Sequence, residues 1–133
     1  MPDVVAERLM NVVGGGYGQN AQPRILVMGY TFKENCPDAR NSLVSDLVES
    51  ISAKGAKVGI YDPWISKQST EIKHRSMLLE KIKGLTFDGI VIAVGHQIFR
   101  EMGAEAVIQM CGVPSRIFDV KGIFGNQTGF QRL

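Results

Sequence analysis

Two cationic side chains lie in a segment that leaves an apolar run and enters a helical one. Lys33 and Arg40 belong to the run 29–42, which reads GYTFKENCPDARNS. In α/β proteins, loops that follow a strand and open a helix bind nucleotides, and the helix N-terminus adds partial positive charge. We therefore predict an anion site here, with a diphosphate as the leading ligand. The loop lacks the glycines of a standard phosphate-binding turn, so the cations would hold the anion.

Each residue of this loop has a second interpretation. Lys33 is either a phosphate partner or a solvated surface lysine. The planar guanidinium of Arg40 suits bidentate contact with a phosphate, but an ion pair with a nearby carboxylate such as Asp38 fits equally well. Phe32 stacks on a base or closes a pocket, unless it belongs to the core. Cys36 is a poor candidate nucleophile, because neither histidine of the chain is near it in sequence.

Polar residues also end the other predicted strands. Asp62 precedes a proline and is expected to form a turn, although a carboxylate there can also accept a ribose hydroxyl. Asp119 either caps a turn or orients Lys121, two residues further on. His96 is expected to be a hydrogen-bonding loop residue.

The composition is that of one ordinary globular domain. The chain has 133 residues, of which 44% are apolar and 21% are charged. A net charge of +2 without a block of like charges argues against nucleic acid as a partner. The two cysteines fit neither a disulfide framework nor a metal site and favour a reducing compartment. We see no signal peptide and no apolar segment long enough for a membrane, and we expect a cytoplasmic location.

The pattern of apolar residues predicts an α/β fold, a Rossmann-like three-layer domain with a mostly parallel sheet. The predicted order is strand 24–28, helix 42–54, strand 57–61, a mostly helical segment 65–83, strand 89–94, a helical segment 97–110 broken at Gly103, strand 116–120 and an irregular tail. A helix over 3–13 comes first, followed by a glycine-rich linker. The apolar face of that helix either docks back on the domain or is buried elsewhere.

The run 29–42 resembles the signature of the UDP-glucose/GDP-mannose dehydrogenase family, in the first loop of its C-terminal UDP-sugar-binding domain. Three further segments match in order: VGIYDPW at 58–64, DGIVIAVGHQ at 88–97 and IFDVKG at 117–122. Together they are most similar to the branch that acts on UDP-N-acetylhexosamines. Enzymes of that branch oxidise the C6 alcohol of the sugar to a carboxylate in two NAD-dependent steps, for polysaccharide biosynthesis.

The resemblance implies roles for four residues. Lys33 is expected to contact the diphosphate region of the UDP-sugar, with Phe32 beside the nucleotide, and Lys121 matches a basic position near the same ligand. Arg40 matches an arginine that faces the NAD cofactor across the domain cleft. The resemblance implies no catalytic residue and no metal ligand in this chain.

The resemblance also implies a division of the chain. Residues 1–13 would be the C-terminal part of the family's central helix, 14–23 a linker, and 24–133 the UDP-sugar-binding domain. The Ser-Cys-Phe segment with the family's catalytic cysteine and the Gly-x-Gly-x-x-Gly turn for NAD do not occur in these 133 residues. We therefore expect a domain that is inactive alone and works with an N-terminal NAD-binding domain, in a homo-oligomeric enzyme. The alternative is a free-standing, non-catalytic nucleotide-binding or dimerisation module.

Overall fold

Four short strands form one parallel sheet in the part of the chain that the structure describes. The structure is a computed structural model, and it describes residues 2–13, 22–31, 42–65, 77–125 and 128–131. The strands are β1 (Arg24–Met28), β2 (Lys57–Tyr61), β3 (Gly89–Ile92) and β4 (Ile117–Asp119), in the order β2-β1-β3-β4. The predicted parallel α/β fold is confirmed, although β3 and β4 are each two residues shorter than predicted.

The central strand β1 is covered on both faces. After Arg24 every residue of β1 is buried, as expected for an inner strand of a parallel sheet. Val27 lies opposite Ile60 of β2 and Val91 of β3. Ile25 and Val27 belong to one apolar cluster, whereas Leu26 and Met28 belong to the other. The alternation of side chains along a strand thus divides the core into two halves.

Helices cover both halves and complete three layers. On one face lie α1 (Pro2–Val13) and α2 (Ser42–Ala53), and on the other lie α3 (Gln97–Met102) and α4 (Ala104–Cys111). Gly103 separates α3 from α4 with a φ of +84°, a backbone conformation that favours glycine. The predicted break at this residue is therefore confirmed. Among the described residues, no helix is long and apolar enough to cross a bilayer.

The first helix docks back on the sheet, which resolves the alternative left open by the sequence. Val5, Leu9 and Val13 of α1 are buried in the cluster that also holds Ile25. The helix comes so close to β3 that a Cβ atom on Gly89 would lie 3.0 Å from Leu9 Cδ1 and 2.9 Å from Val13 Cγ2. The absence of a side chain at position 89 is what permits this close packing.

The prediction of a mostly helical segment over 65–83 is wrong at its C-terminal end. Residues 66–76 lie outside the described residues, but 77–83 are not α-helical. Leu78 instead forms a parallel bridge with Ile60, and the Leu79 amide donates a 2.7 Å hydrogen bond to the Ile60 carbonyl. The open edge of β2 offers backbone groups that need partners, and this pairing overrides the helical spacing. At the other edge Gln131 bridges Phe118 of β4, within the tail predicted to be irregular.

Candidate functional site

The residues that directly follow the four strands meet at one edge of the sheet, which we call the carboxyl edge. The described residues that form it are 29–31, 62–64, 93–96 and 120–124. The strand order reverses between β1 and β3, so the chain leaves these two neighbouring strands in opposite directions. Such a switch point opens a crevice in which α/β proteins bind ligands.

A buried carboxylate joins three of the strand ends. Asp62, which is 4% exposed, follows β2. Its Oδ2 accepts hydrogen bonds from the Tyr30 amide at 2.7 Å and the Thr31 amide at 3.0 Å, both just past β1. The same oxygen lies 2.9 Å from Nε2 of His96, which follows β3. Its Oδ1 accepts a bond from the Trp64 amide at 2.9 Å. One side chain therefore fastens the ends of β1, β2 and β3 together.

The charge of Asp62 makes Nε2 of His96 a hydrogen-bond donor. Burial raises the pKa of the Asp62 carboxyl, but the hydrogen bonds from His96 and from the amides of Tyr30, Thr31 and Trp64 outweigh burial and leave the pKa below its ordinary value. Asp62 is therefore ionised at neutral pH and can only accept hydrogen bonds. It follows that Nε2 of His96 carries the hydrogen and donates it to Asp62, an assignment made from the hydrogen-bond network.

The Asp62, His96 and Thr31 side chains do not form a proton relay. Thr31 Oγ1 lies 2.9 Å from the same Nε2 of His96 that contacts Asp62. In a relay the imidazole would use one ring nitrogen for the hydroxyl and the other for the carboxylate. His96 and Thr31 are also fully buried, which keeps them from a ligand in the crevice. We interpret this group as a means of holding the strand ends in place, and not as a catalytic centre.

Two aromatic rings enclose His96. The ring of Phe99 from α3 lies edge-on at 5.3 Å between centroids, and the ring of Trp64 lies at 6.2 Å on a 30° tilt. Trp64 is 43% exposed, so it covers the imidazole with one part and meets solvent with another. The indole thus links the buried imidazole to the solvent-exposed surface of the carboxyl edge.

A second buried carboxylate shapes the turn after β4. Asp119 is fully buried, and its oxygens accept hydrogen bonds from the Ile123 amide at 3.1 Å and the Phe124 amide at 3.0 Å. Its carbonyl also accepts a bond from the Gly122 amide at 3.2 Å. The interpretation of Asp119 as a turn cap is confirmed. Lys121 is exposed within this turn, at the carboxyl edge.

Of the residues predicted to bind ligands, the structure describes one. Lys121 lies at the carboxyl edge, as the strand pattern indicated. Phe32, Lys33 and Arg40 lie outside the described residues, so their roles, and the expectation that Lys33 and Lys121 contact the same ligand, stay predictions.

The structure describes one of the two cysteines, Cys111. Cys36 lies outside the described residues. Cys111 is a half-buried free thiol at the end of α4, and burial raises its pKa. A thiol that stays protonated at neutral pH is a weak nucleophile, so the raised pKa argues against a catalytic role for Cys111.

The buried group around Asp62 was not predicted from the sequence. Asp62 directly follows β2, and His96 lies between the end of β3 and the start of α3; these positions after strands are the signal that could have revealed them. Their contact depends on the strand order, however, because Asp62 has to reach across the end of β1 to meet His96.

The strand order, the three layers and the crevice at the switch point define a doubly wound, Rossmann-like α/β domain. Residues 26–126 match the family model described as "UDP-glucose/GDP-mannose dehydrogenase family, UDP binding domain". The chain belongs to this family, as its motifs indicated.

Two similar bacterial proteins are enzymes of the same kind. The chain is 39% identical over 83 residues to a UDP-N-acetyl-D-glucosamine 6-dehydrogenase of Salmonella typhi, a match that covers 62% of this chain and 20% of the relative. It is 34% identical over 110 residues to an enzyme of the same name from Pseudomonas aeruginosa, with 83% of this chain and 26% of the relative covered. The matched part therefore spans only about a fifth to a quarter of these relatives.

Solved structures show the same fold. The UDP-N-acetyl-mannosamine dehydrogenase Cap5O of S. aureus aligns over 98% of this chain and 29% of its own, with a TM-score of 0.69 and 18% identity. The UDP-D-ManNAc dehydrogenase of Pyrococcus horikoshii aligns over 98% of this chain and 30% of its own, with a TM-score of 0.68 and 24% identity. At such identities the likeness concerns the fold.

Proposed function

We propose that this chain is the UDP-sugar-binding domain of an NAD-dependent UDP-N-acetylhexosamine 6-dehydrogenase. The observation that carries the proposal is the position of Lys121 at the carboxyl edge of a domain that belongs to this family. The names of the two bacterial relatives support the choice of an N-acetylhexosamine substrate. The enzyme would serve polysaccharide biosynthesis in the cytoplasm.

The task of this domain is to hold the nucleotide end of the substrate. The ammonium groups of Lys33 and Lys121 would pair with the diphosphate, since charge-assisted hydrogen bonds to phosphate are among the stronger polar contacts. Phe32 would lie beside the nucleotide. With the diphosphate anchored at the carboxyl edge, the sugar C6 would extend away from this domain. Positioning of this kind lowers the barrier of a reaction between bound groups.

The chemistry itself would come from residues outside this chain. Conversion of a C6 alcohol to a carboxylate removes four electrons, which NAD accepts as hydride in two steps. We assign the catalytic thiol and most of the NAD site to an N-terminal domain, and only Arg40 of this chain would face the cofactor. The chain by itself would not reduce NAD, and the full enzyme would be a homo-oligomer.

Calorimetric titration of the 133-residue chain with UDP and with UDP-N-acetylglucosamine tests the proposal. We expect both ligands to bind, and we expect Lys33→Ala and Lys121→Ala to weaken binding about tenfold each, which corresponds to about 1.4 kcal/mol. Lys57→Ala is the matched control, because Lys57 is an exposed lysine at the opposite, amino-terminal end of β2. Its affinity should equal that of the wild type.

Two outcomes would contradict the proposal. If the folded chain, checked by circular dichroism, binds neither ligand, the alternative of a dimerisation module is favoured. If binding occurs but the Lys33 and Lys121 variants behave like Lys57→Ala, the diphosphate is held elsewhere.

A further inference from the structure

We infer that His96 and Asp62 are positioning residues of the nucleotide site. They fix the direction of the backbone at the end of β1, where the predicted diphosphate-binding segment 29–42 begins. The inference rests on the proposed function, since it concerns the same site. It goes further because it assigns affinity for the nucleotide to two buried residues that do not touch it.

The first argument is the route of the backbone hydrogen bonds after β1. The Gly29 amide still pairs with the Tyr61 carbonyl of β2, at 2.9 Å. The next two amides, of Tyr30 and Thr31, leave the strand ladder and donate to the Asp62 carboxylate. The chain at residues 30–31 is therefore directed by a side chain and not by a neighbouring strand. Thr31 is also the last described residue before the segment that contains Lys33.

The second argument is that Asp62 depends on His96. Three donors converge on Oδ2 of Asp62, and the Nε2–H of His96 is the one supplied by a side chain. A buried carboxylate that loses a donor keeps its charge and its desolvation cost but has fewer partners. Asp62 can then recover a partner only by moving, and the Tyr30 and Thr31 amides would move with it. His96 thus acts on the end of β1 through Asp62.

The third argument is that packing alone does not require this arrangement. His96 lies beside the rings of Trp64 and Phe99, and an aromatic ring without a nitrogen could keep these two ring contacts. A buried ion and its donor are commonly no more stabilising than apolar groups of similar volume. The His96–Asp62 pair is therefore better explained by the direction that it gives to the backbone at residues 30–31 than by a contribution to the stability of the fold.

Two substitutions of His96 distinguish its effect on the backbone direction after β1 from its effect on side-chain packing. His96→Phe keeps an aromatic ring beside Trp64 and Phe99 but removes the donor to Asp62. His96→Gln removes the ring but keeps an N–H at the end of the side chain that can reach the carboxylate. We expect His96→Phe to weaken UDP binding at least tenfold and His96→Gln to stay within about threefold of the wild type.

A stability control accompanies the pair. Leu9→Ala removes buried apolar volume beside Gly89, at the amino end of β3, and so destabilises the domain away from the carboxyl edge. We expect it to lower the Tm without changing the Kd for UDP, measured well below the Tm. His96→Phe should also lower the Tm, because the buried Asp62 carboxylate loses a donor, but unlike Leu9→Ala it should raise the Kd for UDP as well. Trp64 is the only tryptophan in the chain and covers His96, so its fluorescence gives an independent measure of UDP binding.

The outcomes are distinguishable. If the wild type binds UDP and His96→Phe binds it as tightly, the positioning role is refuted while the proposed function stands. If His96→Gln loses as much affinity as His96→Phe, the N–H donor is not the cause and the inference is also refuted. If the wild type does not bind UDP, the proposed function fails first and this inference fails with it.

Discussion

Gly29 and Val94 lie so close together that a Cβ atom at position 29 would be 2.6 Å from Val94 Cβ and 2.9 Å from its backbone nitrogen. Gly29 is the first residue after β1, and Val94 is the second residue after β3. The Val94 amide is in turn within 3.4 Å of the Met28 carbonyl. The two strand ends at the switch point are therefore in backbone contact, and the crevice opens only beyond them.

We expect Gly29→Ala to be strongly destabilising. Its φ of +98° is costly for a residue with a side chain, by about 1–2 kcal/mol, and the overlap with Val94 adds about 1–3 kcal/mol. Gly55→Ala is the matched control, because Gly55 has a φ of +97° but open space around it. Urea unfolding should show a larger loss for Gly29→Ala, and equal losses would mean that contact with Val94 does not matter.

The packing of α1 predicts that this helix is part of the folded domain. Leu9 is fully buried in the cluster that covers β1 and β3, so Leu9→Ala should lower the free energy of unfolding by about 2–5 kcal/mol. Val4, on the same helix, is 45% exposed, and Val4→Ala should change it by less than about 1 kcal/mol. A Leu9→Ala protein as stable as the wild type in denaturant unfolding would show that α1 contributes little.

The lowered pKa of Asp62 predicts a specific loss of stability in acid. Because the pKa is lower in the folded than in the unfolded protein, the contribution is fully present above the unfolded value, about 3.9. It is lost as the pH falls through the folded value. Among the described residues, the titratable side chain within hydrogen-bond distance of the Asp62 carboxylate is His96.

Denaturant unfolding of the wild type and of Asp62→Asn from pH 7 to pH 3 measures this contribution. An asparagine does not ionise, and its amide cannot accept a bond from both the Trp64 and the Tyr30 amides. We expect Asp62→Asn to be less stable at pH 7, by about 1–3 kcal/mol, and the difference to shrink below about pH 4. A difference that stays constant over the whole range would mean that the Asp62 charge is not linked to folding.

The turn after β4 predicts a coupling between Asp119 and Lys121. Asp119→Ala leaves the Ile123 and Phe124 amides without their acceptor, so the turn that carries Lys121 should become less ordered and UDP binding weaker by about threefold to tenfold. The double variant Asp119→Ala/Lys121→Ala should bind UDP as well as Lys121→Ala alone, because Asp119 would act through Lys121. Additive losses in calorimetry would assign Asp119 a separate effect on the site.

Much of the fold was predictable because it depends on local patterns. The buried strands β1 and β3 are continuous apolar runs, and such runs are typical of parallel strands covered on both faces. The break at Gly103 follows from the backbone freedom of glycine. Residues 77–83 could not be predicted in this way, since their apolar spacing suits a helix and only the open edge of β2 favours pairing with Ile60.

The sequence by itself determined the family, the α/β class and the location of Lys121 after a strand, because motifs, apolar runs and turn residues are properties of short segments. The tertiary structure alone decided that α1 docks on the sheet and that Asp62 meets His96. These two residues are 34 positions apart, and their contact requires the strand order that places β1 between β2 and β3. Long-range order of this kind results from the packing of the whole core, which no short segment encodes.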